Sequence, residues 1–157
     1  MRITIRPIIA VVTAIALASC TPEAPVGPIA DITNVTFAAS LGVNLSNMTK
    51  TASGLYYQDT PAGTGNTAVS GNRLTVHYTG NLINGSTFDS SVGKAPFAFT
   101  LGGGNVIKGW DEGLAGMKVG GTRKLVIPPA LAYGAIANGA IPASSILVFM
   151  VQLISIP

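Results

Sequence analysis

The sequence predicts an α+β fold built from five or six antiparallel strands and one short helix. From residue 53 onward, short apolar runs are separated by Gly, Pro and Asn-Gly, which is the pattern of strands joined by turns. Only one stretch in that region has clear helical spacing, since four apolar residues recur there at steps of three and four: Ile107, Trp110, Leu114 and Met117. Trp110 is the only tryptophan of the 157 residues, so the largest apolar side chain lies at the centre of this helix and has to be covered.

The first 20 residues have the features of a bacterial export signal. Arg2 and Arg6 precede an apolar run over residues 7–18, which is too short for the roughly 20 residues of a membrane-spanning helix. The run leads into Leu17-Ala18-Ser19-Cys20, which resembles the lipobox of bacterial lipoproteins. The resemblance implies that residues 1–19 are a lipoprotein signal peptide and that Cys20 is the lipidation site. An ordinary signal peptide with an incidental cysteine is the alternative.

Lipidation would determine where the protein resides. Several acyl chains, at about 0.8 kcal/mol per buried CH₂, hold a small domain stably on a bilayer. We therefore expect an extracytoplasmic protein that contacts a bacterial membrane through its N-terminal lipid. Thr21 replaces the Asp that marks retention at the inner membrane, so in a cell with two membranes we expect the outer membrane, facing the periplasm.

Residues 20–52 are rich in Pro, Ala, Ser, Thr and Asn and carry few charges, which predicts a flexible tether. Apolar residues at helical spacing from Phe37 to Met48 allow weak docking within it. The length suits one domain with an appendage, and we place that domain at residues 53–157.

The strands follow in order along this domain. Residues 73–78 alternate so that Tyr78 faces inward with Leu74 and Val76, and His77 faces the other side. Asn84-Gly85 predicts a hairpin turn within residues 82–88. The other strands are expected at residues 54–58, 97–101, 123–127 and 146–156.

Several kinds of chemistry are excluded by residue counts. With one cysteine and one histidine, the chain can form neither an intrachain disulfide nor a thiolate zinc site, and we expect no metal and no cofactor. The glycines of residues 102–109 lack the third glycine of a dinucleotide-binding loop. His77 faces away from the inward side, so no base is available to activate a nucleophile. Asp111 and Glu112 lie near the helix start, where acids are favoured by the helix dipole.

The charge balance argues against nucleic acid as a partner. The chain has nine Lys and Arg against six Asp and Glu, and removal of Arg2 and Arg6 with the signal leaves seven against six. No basic cluster is longer than Arg123-Lys124.

What remains is a set of aromatic residues with one acid among them, which indicates either a pocket or plain core packing: Tyr78, Phe88, Asp89, Phe97, Phe99, Trp110, Tyr133 and Phe149. Five segments around them resemble, in order and approximate spacing, the FKBP-type peptidyl-prolyl isomerases: Val76-His77-Tyr78-Thr79-Gly80, Phe88-Asp89-Ser90-Ser91, Val106-Ile107-Lys108-Gly109-Trp110, Leu131-Ala132-Tyr133-Gly134 and Leu147-Val148-Phe149. The resemblance covers residues 53–157.

The resemblance implies a half-barrel sheet wrapped over the helix, with the Trp110 indole as the floor of a substrate pocket. It assigns catalytic positions to Tyr78, Asp89, Phe97, Ile107, Trp110, Tyr133 and Phe149. It assigns substrate binding to Phe88, Val106 and Ile141. Two loops depart from the vertebrate members, because the connection at residues 92–95 is one residue shorter and lacks an arginine, and the loop after Tyr133 lacks a histidine.

The implied activity is rotation about the peptide bond before proline, in folding extracytoplasmic proteins. We expect proline-containing peptides as substrates, macrolides as inhibitors, and a monomer. The alternatives are a lipid-anchored chaperone that binds proline segments with little turnover, and a purely structural lipoprotein.

Overall fold

The computed structural model describes residues 31–157. The predicted signal peptide at residues 1–19, the lipidation site Cys20 and the first part of the predicted tether lie outside the described residues. Within residues 31–157, no helix combines the length and the hydropathy needed to cross a bilayer.

The described chain forms one open antiparallel sheet of seven strands: β1 Thr49–Lys50, β2 Tyr56–Asp59, β3 Arg73–Leu82, β4 Thr87–Ser90, β5 Phe97–Thr100, β6 Thr122–Ile127 and β7 Leu147–Ser155. Their order across the sheet is β1-β2-β6-β7-β3-β4, and β5 pairs with β3 beside β4. The sequence predicted five or six strands, and six longer strands are present. Strand β3 continues to Leu82, past the predicted residue 78, and the two-residue β1 was not predicted.

Strand β3 organises the sheet because it pairs along its whole length. Its first half pairs with β5 and its second half with β4, while its other edge pairs with β7 from Thr75 to Leu82. The predicted hairpin turn at Asn84-Gly85 is present, closed by the Leu82 N–H, which donates to the Ser86 carbonyl at 2.9 Å. A register shift between Gly80 and Asn81 bends β3 next to the aromatic residues.

The helix, α1 Lys108–Gly113, is shorter than its apolar spacing suggests. Leu114 and Met117 are buried as predicted, but they belong to the turn that follows. Gly116 adopts a φ of +77° there, and its N–H donates to the Ala68 carbonyl at 2.8 Å, so the chain leaves the helical path. The apolar face is therefore completed by a turn that keeps the same side chains pointing into the core.

Glycines allow the helix to approach the sheet closely. A Cβ added at Gly109 would lie 2.5 Å from Ile127 Cγ2, and one at Gly113 would lie 2.8 Å from Leu125 Cδ2. Ile127 and Leu125 face the helix from β6, and the core there also contains Leu74, Val76, Leu147, Phe149, Val151 and Leu153.

The flexible tether expected up to residue 52 is not what the structure has over residues 31–50. This segment, which we call the strap, forms three short 3₁₀ helices, Ile32–Asn34, Ala39–Leu41 and Leu45–Asn47, and then β1. Its apolar side chains form a second core with the sheet: Ile32, Val35, Phe37, Leu41, Val43, Leu45 and Met48, packed with Tyr56, Ile83, Val126, Ile146 and Val148. Val126 and Val148 alternate with residues that face the helix, so the strap covers the opposite face.

Two buried cations join these layers. The Lys124 ammonium donates to the Gly42 carbonyl at 2.6 Å and so fixes the strap to β6, and its burial lowers the pKa of Lys124. Arg123, 4% exposed, forms two hydrogen bonds with the Asp59 carboxylate at 2.7 and 2.8 Å. Its remaining nitrogen donates to the carbonyls of Gly113 and Ala115, which ties the helix end to the sheet.

Candidate active site

A cavity of about 200 Å³ opens on the helix side of the sheet, next to the start of α1. Ten residues line it: Tyr78, Phe88, Asp89, Phe97, Asn105, Val106, Ile107, Trp110, Tyr133 and Phe149. Nine of them are residues that the sequence placed in the site. Strands β3, β4, β5 and β7 supply Asp89 and four of the rings. Helix α1 supplies Trp110, the segment before it supplies Asn105, Val106 and Ile107, and the loop after β6 supplies Tyr133.

Trp110 lies against the other rings as the floor of this cavity. Its side chain is 4% exposed, and the rings of Tyr78 and Phe149 meet it edge to face at centroid distances of 5.2 and 5.3 Å. Phe97 packs against it at 6.2 Å and is itself 39% exposed, so it stands at the mouth. Edge-to-face pairs place positive ring edges on negative ring faces. The rings thus enclose an apolar space without filling it.

The indole of Trp110 adds no polar group to the cavity. Its Nε1 is fully buried and has no hydrogen-bond acceptor within the described residues. A buried N–H without an acceptor is costly, and Nε1 is withdrawn from the cavity surface. The floor is therefore apolar over its whole extent.

Gly80 makes room for two of the rings. A Cβ at this position would lie 2.6 Å from a carbon of the Phe88 ring and 2.7 Å from one of Phe149. These rings form an edge-to-face pair at 5.5 Å. The wall of the cavity thus depends on the absence of a side chain at Gly80.

Asp89 occupies the rim. The sequence predicts an acid inside an apolar cluster, but the carboxylate is exposed to solvent. One oxygen accepts a hydrogen bond from the Tyr78 hydroxyl at 2.5 Å, and the other accepts from the Ser90 N–H at 2.8 Å. The acid therefore keeps much of its hydration and is satisfied on its inner side, which avoids the cost of burying a charge.

Burial of the Tyr78 phenol, together with its hydrogen bond to Asp89 and the charge of that carboxylate, raises the pKa of Tyr78 to about 12. The phenol therefore stays protonated and continues to donate to Asp89 at neutral pH. The pair presents a fixed negative charge at the rim and no proton-transfer group within the cavity.

Two hydrogen-bond donors on the cavity wall are open. Within residues 31–157, neither the Ile107 backbone N–H nor the Tyr133 hydroxyl takes part in a hydrogen bond. Ile107 is the extended residue that precedes the helix, with φ −61° and ψ 148°. Both donors are suited to the carbonyl groups of a bound chain.

The loop before Ile107 is held by Asp111. Its carboxylate accepts hydrogen bonds from the Gly102 and Gly104 N–H groups at 2.7 and 3.2 Å. The sequence predicts that Asp111 interacts with the helix dipole, and in the structure its carboxylate also fixes the loop. Its neighbour Glu112 accepts from the Ser53 hydroxyl at 2.6 Å and takes no part in the cavity.

Two residues differ from the predicted set. Ile141 is 6% exposed and belongs to the buried core, so it supports the site from behind rather than lining it. Asn105 lines the cavity and was not predicted, although its position directly before Val106 in a matching segment is a signal that could have identified it. In the described part of the chain, no three His, Cys, Asp or Glu side chains are grouped to hold a metal.

Comparison of the sequence with known proteins identifies one family and relatives that are about half identical to this chain. Residues 65–154 match the family described as FKBP-type peptidyl-prolyl cis-trans isomerase. The chain is 52% identical over 105 residues to an FK506-binding protein of Neisseria meningitidis serogroup B, covering 66% of this chain and 96% of that protein. It is 49% identical over 117 residues to FK506-binding protein 4 of Chaetomium thermophilum, covering 74% of this chain. The match spans 23% of that longer fungal protein.

Two solved structures of similar proteins have the same fold as this chain. The crystal structure of AtFKBP13 superposes with a TM-score of 0.66 at 40% identity, over 70% of this chain and 98% of that one. FkpA from Escherichia coli superposes with a TM-score of 0.65 at 44% identity, over 70% of this chain and 51% of that one.

Proposed function

The chain belongs to the FKBP-type peptidyl-prolyl cis-trans isomerase family, and we propose that its aromatic cavity accelerates rotation about the peptide bond that precedes proline. The observation that carries this proposal is the cavity of about 200 Å³ above the Trp110 indole. It is apolar at its floor and has open hydrogen-bond donors and one fixed carboxylate at its edge.

The chemistry requires no nucleophile. Rotation about a peptide bond has a barrier of about 18–20 kcal/mol, because conjugation keeps the bond planar. In the twisted state the conjugation is lost, so the carbonyl carries less charge and is less dependent on water. An apolar cavity therefore stabilises the twisted state relative to the planar one.

Each group of residues then has a role. The proline ring would lie on Trp110, between Tyr78, Phe97 and Phe149. The Ile107 N–H and the Tyr133 hydroxyl would bind carbonyl groups of the substrate, while Phe88 and Val106 complete the wall. Asp89 would act on the rotating carbonyl through its charge, held in place by Tyr78.

A protease-coupled isomerisation assay with a proline tetrapeptide tests the proposal. We expect Asp89→Val and Phe97→Ala each to lower kcat/KM by about tenfold or more, which corresponds to about 1.4 kcal/mol of transition-state stabilisation. Val69→Ala is the matched control, because Val69 is also an exposed apolar residue but does not line the cavity. Unchanged rates in both site variants would rule out the assignment.

The same assay with a macrolide separates the proposal from its alternatives. An isomerase should show turnover that the macrolide abolishes. A chaperone that holds proline segments should bind the macrolide and show little turnover, and a structural lipoprotein should do neither. The open cavity and donors argue against a purely structural lipoprotein, and the full set of aromatic residues favours the isomerase over the chaperone.

We also propose that the protein acts outside the cytoplasm, anchored through a lipid on Cys20, and that it is a monomer. Support comes from the lipobox-like sequence that ends at Cys20. Labelled palmitate should be incorporated into the wild-type protein and not into Cys20→Ala, which should move from the membrane fraction to the soluble fraction. Equal distribution of the two would contradict the anchor. Sedimentation of the non-lipidated protein tests the monomer.

A further inference from the structure

Two serines at the end of β4 make an unusual set of contacts with Tyr78. The Ser91 hydroxyl oxygen accepts a hydrogen bond from the Tyr78 N–H at 2.9 Å, and the Ser91 N–H donates to the Tyr78 carbonyl at 3.0 Å. The Ser90 hydroxyl donates to the same carbonyl at 3.0 Å. Both backbone groups of Tyr78 on this edge of β3 are therefore held from β4, one of them by a side chain in place of a strand carbonyl.

Ser91 is among the most buried polar residues of the described chain, at 5% exposure. Its hydroxyl also lies 3.1 Å from Nδ1 of His77, on the opposite side of β3 from the Tyr78 ring. A hydroxyl has one donor and two acceptor sites, so the Ser91 hydroxyl can bond to the Tyr78 N–H and to His77 at the same time, and the His77 tautomer sets which of the two side chains donates. This contact gives the single histidine a partner and holds the Ser91 side chain from the opposite side of β3.

The same short segment holds Asp89. The Ser90 N–H donates to one carboxylate oxygen at 2.8 Å, and the Tyr78 hydroxyl donates to the other at 2.5 Å. The Tyr78 backbone, the Tyr78 hydroxyl, Asp89 and Ser90 therefore form a closed ring of contacts, in which Ser91 holds the backbone end.

We propose that Ser91 is a positioning residue, whose buried hydroxyl fixes the Tyr78 backbone and thereby holds the Tyr78 hydroxyl against the Asp89 carboxylate at the cavity rim. Ser91 does not line the cavity and would touch no substrate. Loss of its hydroxyl removes the acceptor of the half-buried Tyr78 N–H, so the free energy of that hydrogen bond no longer holds β3 in this position. The inference rests on the proposed function for its catalytic consequence and on geometry alone for its effect on Tyr78.

The test compares Ser91→Ala with a rescue and a control, using the full chain without its signal. We expect Ser91→Ala to lower kcat/KM about tenfold, the effect of losing one buried hydrogen bond. Ser91→Thr keeps a hydroxyl and should restore most of the activity. Thr87→Ala is the control, because it also removes a hydrogen bond between β3 and β4, from Asn81 to Thr87, without touching Tyr78.

The second readout is titration of the Tyr78 phenol, followed by near-ultraviolet absorbance as the difference from Tyr78→Phe. In Ser91→Ala the Tyr78 pKa should fall from about 12 toward its ordinary value of 10.0, because the contact with Asp89 loosens. Ser91→Cys, which fills the same space with a weaker acceptor, should change both readouts in the same direction if Ser91→Ala does not fold.

Lower activity with an unchanged Tyr78 titration would overturn the proposal, since Ser91 would then act by another route, and so would a Ser91→Ala protein with both properties unchanged. If the wild-type protein shows no turnover, the proposed function fails, while the titration still decides whether Ser91 positions Tyr78.

Discussion

At the scale of single residues, Tyr78 and Asp89 show what alternation along a strand can and cannot predict. The period of two in β3 places Tyr78 inward and His77 outward, and the structure agrees. The same reasoning does not give the exposure of Asp89, because that depends on hydrogen bonds from Tyr78 and Ser90, which come from two different strands. Hydrogen-bond partners on neighbouring strands produce no periodic pattern in the sequence.

The Tyr78 titration should respond to Asp89 with a definite sign. Its folded pKa of about 12 lies above the ordinary 10.0, so the stability it contributes is complete below pH 10 and is lost as the pH rises toward 12. Asp89→Asn removes the charge but not the burial, which is the larger cause. We expect the Tyr78 pKa to fall but to remain above 10.0 in a spectrophotometric titration. A value that stays near 12 would show that Asp89 has no effect.

Gly80 should be intolerant of the smallest substitution. An added Cβ would overlap the rings of Phe88 and Phe149 at 2.6 and 2.7 Å. Gly80→Ala should therefore destabilise the fold by about 1–3 kcal/mol, as overpacking does, and should raise KM by displacing the cavity wall. Urea unfolding and the isomerisation assay measure these effects. Thr75→Ala, also on β3 but outside the cavity lining, should leave KM unchanged, and an equal rise there would point to a general loosening of the strand.

At the scale of elements, apolar spacing predicted which side chains of the α1 region are buried better than it predicted where the helix ends. Leu114 and Met117 are buried although α1 ends at Gly113, because a turn can present side chains to the same core as a helix. The sequence predicts a tether with weak docking from Phe37 to Met48, and the apolar residues of that stretch do lie in the second core. They belong to short 3₁₀ helices and the segments between them, not to one helix, so their helical spacing does not identify the elements. The strap contacts strands that lie far away along the chain, and local sequence patterns do not predict such contacts.

The contact between α1 and β6 should make Ala a poor replacement for Gly109. Ala favours a helix over Gly by about 1 kcal/mol, but the new Cβ would lie 2.5 Å from Ile127. We expect Gly109→Ala to destabilise the protein by about 1–3 kcal/mol. Ile127→Ala clears that space, so the double variant should lose less free energy than the two single changes added together. Simple additivity in urea unfolding would contradict the close contact.

Substitution of Met48 tests whether residues 31–50 are packed on the sheet, as a strap, or are a flexible tether. It is 9% exposed in the second core, so Met48→Ala should cost about 2–4 kcal/mol of unfolding free energy. Thr36→Ala, at an exposed strap position, is the control and should change stability by less than about 0.5 kcal/mol. A neutral Met48→Ala would mean that the strap is not packed in solution. Because Met48 lies far from the cavity lining, kcat/KM should change in neither variant.

At the scale of the whole molecule, the sheet joins pieces that are remote in sequence. Strand β7, near the end of the chain, pairs with both β3 and β6. Local patterns predict individual strands but not this order, which the sequence supplied only through its resemblance to a family. Arg123 adds to the connection, because it links β2 through Asp59 to the end of α1.

The described chain should therefore unfold as a single unit. Trp110, the only tryptophan, lies between the cavity and the core, so its fluorescence reports on both. We expect its denaturation midpoint to coincide with that from circular dichroism. Asp59→Ala removes the carboxylate partner of the buried Arg123 guanidinium, which still donates to the carbonyls of Gly113 and Ala115. We expect this variant to lower the unfolding free energy by about 1.5–3 kcal/mol and to shift both midpoints together. Separate midpoints would indicate that the two layers unfold independently.

Because of the strap, the packed structure begins earlier in the chain than the match to the family. The family match begins at residue 65, yet the second core draws on side chains as early as Ile32. A protein trimmed at residue 53, which keeps only the domain that matches the family, would expose Val126, Val148 and Tyr56 to water as an apolar surface. Such a fragment should self-associate on purification and give a misleadingly low melting temperature for an otherwise intact catalyst.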